Sequence, residues 1–110
     1  MAYDVELADR IRFLVGPRPG VTERRMFGGL AFLAGGNMAV AASGQGGLLV
    51  RVDPAETEEL VSESHVERME MRGRAMDGWL RVTADAVEDD DQLRRWVERG
   101  LAYASSLPAK

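Results

Sequence analysis

Between Met26 and Val50 the sequence carries no charged residue, and seven of those positions are glycine. A membrane-spanning helix needs about 20 consecutive, mostly apolar residues. Here the glycines instead fall in clusters with Asn37, Ser43 and Gln45, separating short apolar runs. Gly and Asn tolerate the positive φ of tight turns, so this pattern reads as a β-meander. Its strands are expected at about Met26–Leu33, Met38–Ala42 and Leu48–Val52, with turns at Ala34–Asn37 and Ser43–Gly47. In the third strand Leu48, Val50 and Val52 share one face, and Arg51 marks the other as wet. Val21–Arg25 leads into the meander in an extended form.

The flanking segments carry helical spacing. Leu7, Ala8, Ile11, Leu14 and Val15 follow Asp4, a residue suited to an N-cap. Asp53-Pro54-Ala55-Glu56 has the form of a second helix start, with a helix expected to about Ser62. Met69 and Met71 alternate with Glu70 and Arg72 as in a short strand. Gly73 and Gly78 bracket a turn, and residues 78–82 form a further strand. Residues 83–91 are polar with a short helical turn. Asp89-Asp90-Asp91 then precedes Leu93, Trp96, Val97, Leu101 and Ala104, one face of an amphipathic helix. The class predicted is α+β: an antiparallel sheet of about four to five strands (a meander at 26–52, further strands near 69–82) with N-terminal, middle and C-terminal helices. No linker or repeat divides residues 1–110, so one domain is expected. Its predicted core is Leu7, Ile11, Leu14, Phe27, Phe32, Val40, Leu48, Val50, Leu60, Leu80, Val82, Leu93, Trp96, Val97 and Leu101.

Composition narrows the chemistry. The 110 residues include no cysteine and a single histidine, His65, which removes disulfides, thiolate nucleophiles and sulfur- or histidine-rich metal sites. The formal charge of −4 has the wrong sign for a default nucleic-acid or anionic-membrane binder. The acidic charge is concentrated in residues 53–66, whereas the strand-forming segments are mildly basic. The first ten residues carry acids where a secretory signal has a basic start and an apolar run, so the expected compartment is the cytoplasm, with no membrane association. The Gly-rich clusters lie inside or ahead of strands. Phosphate cradles instead open a helix, so no nucleotide site is read here. The acids at 88–91 suit a helix entrance better than a calcium loop, which alternates its ligands. His65 lies in a polar loop, and no serine sits in a Gly-x-Ser-x-Gly elbow. No catalytic, cofactor-binding or metal-binding residue is expected.

Five stretches, in order, resemble the N-terminal domain of the TfoX/Sxy family, regulators linked to natural competence. They are Arg25-Met26-Phe27-Gly28-Gly29-Leu30-Ala31-Phe32; Gly36-Asn37-Met38-Ala39-Val40; Gly47-Leu48-Leu49-Val50-Arg51-Val52; Met69–Met76 with Gly78-Trp79; and Leu93–Val97 running to Pro108. The resemblance covers about Val21 to the end. It implies an α+β domain with an antiparallel sheet. It also implies a part in transcriptional regulation beside a DNA-binding activator. Family members with a second, helical C-terminal domain continue beyond the matching region, so the chain is expected to act as a stand-alone N-terminal domain.

The leading expectation is therefore a non-enzymatic regulatory or protein-interaction domain with a protein partner, such as a transcription activator. The candidate interaction residues are Arg24, Arg25, Met26, Phe27, Gly28, Gly29, Arg72, Gly73, Arg74 and Trp79, since Arg, Met and aromatics are enriched at interfaces. One alternative is direct nucleic-acid binding through Arg24, Arg25, Arg72, Arg74 and Arg81, although no helix carries a basic stripe. Another is a small enzyme or ligand-binding domain with a pocket between sheet and helices. A homodimer is also expected, because residues 30–33 and 38–42 are apolar at both odd and even positions. Such runs point to burial on both faces, and three helices cover only one.

Overall fold

The computed structural model describes residues 3–26 and 28–109. Phe27, expected in the core and among the interaction residues, lies outside them. Chain order is α1 (Val5–Val15), β1 (Val21–Met26), β2 (Gly29–Ala34), β3 (Asn37–Ala42), β4 (Leu48–Arg51), a 3-10 turn (Pro54–Glu56), α2 (Thr57–Leu60), β5 (Val66–Met71), β6 (Arg74–Val82), α3 (Ala84–Val87) and α4 (Asp90–Ser106). The strands form one antiparallel sheet in the order β1-β2-β3-β4-β6-β5. The class is α+β as expected, with six strands where four to five were predicted. The added strand is β1, an edge strand whose four central residues are exposed, so it carries no apolar alternation. Residues 74–77, expected in a turn, belong to β6. The turn is instead the two residues Arg72 and Gly73, both at positive φ (55° and 78°) as in a type I′ hairpin.

Local chemistry sets the helix ends. Asp4 accepts from the Leu7 amide at 3.1 Å, and Asp89 accepts from the amides of Asp91 and Gln92. Each satisfies donors that the first helical turn leaves free. Asp53 does the same for Ala55 at 2.9 Å. The helix that follows is a 3-10 turn and one α turn ending at Leu60, shorter than predicted.

Both long helices lie on one face of the sheet. Leu7, Ile11, Leu93, Trp96, Val97 and Leu101 join Leu30, Phe32, Val40, Leu48, Val50, Leu80 and Val82 in the main core. Leu14, expected there, is half-buried. The other face has its own buried cluster of Ala31, Leu33, Met38, Ala41, Leu49 and Met69, edged by Met26, Met71 and Trp79. Every member of it is a strand residue. The alanines leave room for longer neighbours to fold over them, and register shifts at Phe32/Leu33 and Arg68/Met69 add local twist. The apolar runs are thus buried on both sides, as their pattern indicated. The cover comes from the sheet itself, so the reason for expecting a dimer around β2 and β3 does not hold. Ala39 and Ala41 are 0% and 1% exposed within one chain, so charges placed there disrupt the core rather than split a dimer.

Ion pairs hold the helical layer to its surroundings: Arg10–Asp90 (2.7 Å), Arg12–Glu23 (2.7 Å), Arg18–Glu98 (2.5 Å) and Arg95–Glu63 (2.5 Å). The Arg12 hydrogen bond holds the Glu23 carboxyl below its ordinary value of 4.5, and Arg95 does the same for Glu63. A carboxylate whose pKa is lowered by folding contributes stability above its unfolded pKa. That contribution is lost as pH falls through the folded value. Stability is expected to fall as pH drops below 4.5, and Glu63→Gln to flatten part of that acid limb. Urea denaturation from about pH 7 to about pH 3 measures this; superimposable limbs would remove the pair from the account.

Candidate functional site: the strand-only face of the sheet

Strand register sets the face without helices. One row across the sheet runs Arg24, Ala31, Ala41, Leu49, Arg81, Glu67, each residue opposite the next. Arg24 and Arg81 are four strands apart along it. At about 4.8 Å per strand, that is about 19 Å. Arg51 and Trp79 are paired in the adjacent row. The Arg51 guanidinium carbon sits 4.7 Å from the Trp79 ring centroid and 5.9 Å from that of Tyr103 on α4. On the same face lies a groove of about 470 Å³ lined by Ser43, Gln45, Leu49, Met69 and Met71 together with Arg68, Arg72, Arg81, Glu67 and Glu70.

The arginines divide by location. Arg10, Arg12, Arg18, Arg68, Arg95 and Arg99 have a carboxylate within 4.0 Å; all but Arg68 belong to or pair with α1 or α4, and Arg68, in register with Leu80, pairs with Asp77. Among the described residues, no carboxylate lies that close to Arg24, Arg25, Arg51, Arg72, Arg74, Arg81 or Arg94. Arg24, Arg51 and Arg81 belong to the strand-only face. Arg74 pairs in register with Met71 of the same face. Arg81 donates to the Gly46 carbonyl at 3.4 Å, a weak bond that leaves most of its donors free. Arg72 holds a left-handed conformation in the hairpin, a position where Asn or Gly is usual.

The residues singled out from sequence scatter over this framework. Arg24, Met26 and Trp79 belong to the strand-only face. Arg25 pairs with Leu30, so it shares the helical side of edge strand β1. Arg72, Gly73 and Arg74 occupy the β5–β6 hairpin at the opposite edge. The structure therefore does not bring Arg24 and Arg25 beside Arg72 and Arg74. Gly28 and Gly29 form the β1–β2 connection and the start of β2, with Gly29 packed against the backbone of residue 42. Sequence reasoning put Arg51 on the face opposite Leu48, Val50 and Val52 but read that face as wet, whereas Leu49 there is 3% exposed, and it did not join Leu49, Met69 and Met71 to Arg51 as one site. Their odd-numbered alternation along β4 and β5 was the available signal.

His65 is exposed, and its carbonyl accepts from the Thr83 amide at 3.0 Å. No helix among the described residues is long and apolar enough to cross a membrane. No curated protein and no solved structure matches the chain. The model of one family, described as the TfoX N-terminal domain, matches residues 14–104. That span contains every strand, the strand-only face and nearly all of α4, so the chain belongs to the TfoX N-terminal domain family.

Proposed function

We propose that this protein is a non-enzymatic, cytoplasmic regulatory domain of the kind used in competence-type transcriptional control. It works by docking an acidic segment of a partner protein on the strand-only face of its sheet. One observation carries the reading. Register sets the half-buried Met26, Met71 and Trp79 on one face with Arg24, Arg51 and Arg81, from edge strand β1 to the opposite edge β5, and those guanidinium groups have no carboxylate partner among the described residues. Arg, Met and Trp are the side chains that interfaces favour, and Met adapts its shape to what it meets. An extended segment of about six residues spans the 19 Å or so between Arg24 and Arg81. Acids near both its ends then meet both guanidinium groups. Membership in the TfoX N-terminal domain family supports a regulatory role.

Direct nucleic-acid binding through the same arginines is less well supported. One face of the Trp79 ring is already covered by Arg51 at 4.7 Å, which reduces what it offers for stacking a base. The arginines of the face are spread across about 19 Å with apolar residues between them, not clustered in a basic stripe. Fluorescence anisotropy at about 0.15 M salt separates the two ligands. A peptide of alternating acidic and leucine residues is expected to bind, and Arg24→Glu with Arg81→Glu to abolish that binding. Random duplex DNA is expected to bind no tighter than about 1 μM, within the non-specific range. Tight duplex binding with no peptide binding would replace this reading with the nucleic-acid one.

A further inference from the structure

Resting on the docking reading above, we infer that the partner segment carries a base two residues beyond the acid that meets Arg81, and that Glu67 is the residue that selects it. Glu67 and Arg81 stand directly opposite each other on β5 and β6, on the strand-only face. Opposite charges in that position usually pair across a sheet. Here they do not. Arg81 turns to the Gly46 carbonyl at 3.4 Å, and among the described residues the exposed Glu67 has no base within 4.0 Å.

The groove around this pair holds both signs of charge without partners. Among the described residues, Arg72 and Arg81 line it with no carboxylate within 4.0 Å, and Glu67 and Glu70 line it with no base within 4.0 Å. A run of acids that reaches Arg81 meets Glu67 one strand further on, about 4.8 Å away, where like charges repel. A polyanion has no cation to offer Glu67. A segment with an acid followed by a base satisfies both side chains. The spacing allows it. An extended segment presents the same side every second residue, about 6.7 Å on, and the flexible four-carbon stem of a lysine takes up the difference. The row across the sheet is therefore polar: Arg24 stands alone at the β1 edge, whereas Arg81 is followed by Glu67 at the β5 edge.

Fluorescence anisotropy with three peptides tests this. Each is the alternating acidic and leucine peptide, with an acid at either end, lengthened at both ends by a serine and one further residue. That residue is lysine, glutamine or glutamate. Both ends are extended because either chain direction fits the face. The wild type is expected to bind the lysine peptide about threefold tighter than the glutamine one, the scale of an exposed ion pair, and the glutamate peptide most weakly. Glu67→Gln is expected to weaken the lysine peptide to the level of the glutamine one, and Glu67→Arg to make the glutamate peptide the tightest. Glu58→Arg makes the same change of net charge at an exposed position on α2 and is expected to keep the wild-type order. Equal binding of all three peptides by the wild type would overturn the role of Glu67 and leave the docking reading standing. A Glu67→Gln variant that binds every peptide more tightly would make Glu67 a competitor for Arg81 and overturn it too, as would a reversed order in Glu58→Arg. Binding of none of the peptides would overturn both.

Discussion

Trp96→Ala is expected to destabilise the protein by about 3–5 kcal/mol, the range for truncating a large core aromatic. The side chain is 1% exposed and is the largest fully buried one among the described residues. It projects from α4, the helix that packs across β2, β3 and β4. Its loss leaves a cavity under the centre of the sheet, and the surrounding β-strands are hydrogen-bonded on both sides and cannot collapse into it. For a chain of this length the melting temperature falls by about 10 °C or more. A thermal scan checks this, and an unchanged midpoint would contradict the placement of Trp96.

Gly29→Ala is the second large effect. A Cβ at Gly29 would lie 2.1 Å from the carbonyl oxygen of Ala42 and 3.0 Å from the amide nitrogen of Gly44. Both are backbone atoms, so no side-chain rotation relieves the clash. Gly29 pairs with Met26, and its neighbour Leu30 pairs with Ala42, so the obstruction falls where β1, β2 and β3 meet. Overpacking in a well-ordered region costs about 1–3 kcal/mol and occasionally more, and this contact belongs at the upper end. Gly28→Ala meets nothing within 4 Å and carries only the cost of its positive φ. It is therefore expected to be the milder change. Urea denaturation of both variants checks the order, and an equal loss would mean that conformation rather than close approach selects glycine at these positions.

Much of the fold was legible because local chemistry and hydrophobic period agree. Asp4 and Asp89 stand where caps were expected, ahead of apolar stripes that do face the core. The glycine clusters lie at the turns between β2, β3 and β4. Two strand segments were hidden for physical reasons. β1 is an edge strand that exposes Thr22, Glu23, Arg24 and Arg25, so it shows no apolar face. The first half of β6 sits between Gly73 and Gly78, and glycines in that arrangement look like a turn.

The site was less legible than the fold. Arg24 and Arg81 share a row only because β6 inserts between β4 and β5, out of chain order. No local pattern encodes that insertion. Burial of β2 and β3 on both faces was readable from their unbroken apolar runs. Its source was not, because the cover comes from methionines and Trp79 on other strands. Phe13, 83% exposed on α1, interrupts a charged face: at about 100° per residue it falls between Glu6 and Asp9, opposite the core stripe. That mismatch is visible in the sequence once the inward positions of α1 are assigned.

The strand-only face is the centre of this account, and site-specific photo-crosslinking in native lysate tests it most directly. One probe replaces Met71, half-buried at the edge of that face, and another replaces Ala102, exposed on α4 on the opposite side of the molecule. The account predicts that a single acidic protein is captured from the Met71 position, not from Ala102, and that Arg24→Glu with Arg81→Glu removes the capture. Capture from Ala102 alone, or capture at Met71 indifferent to both arginines, would contradict it.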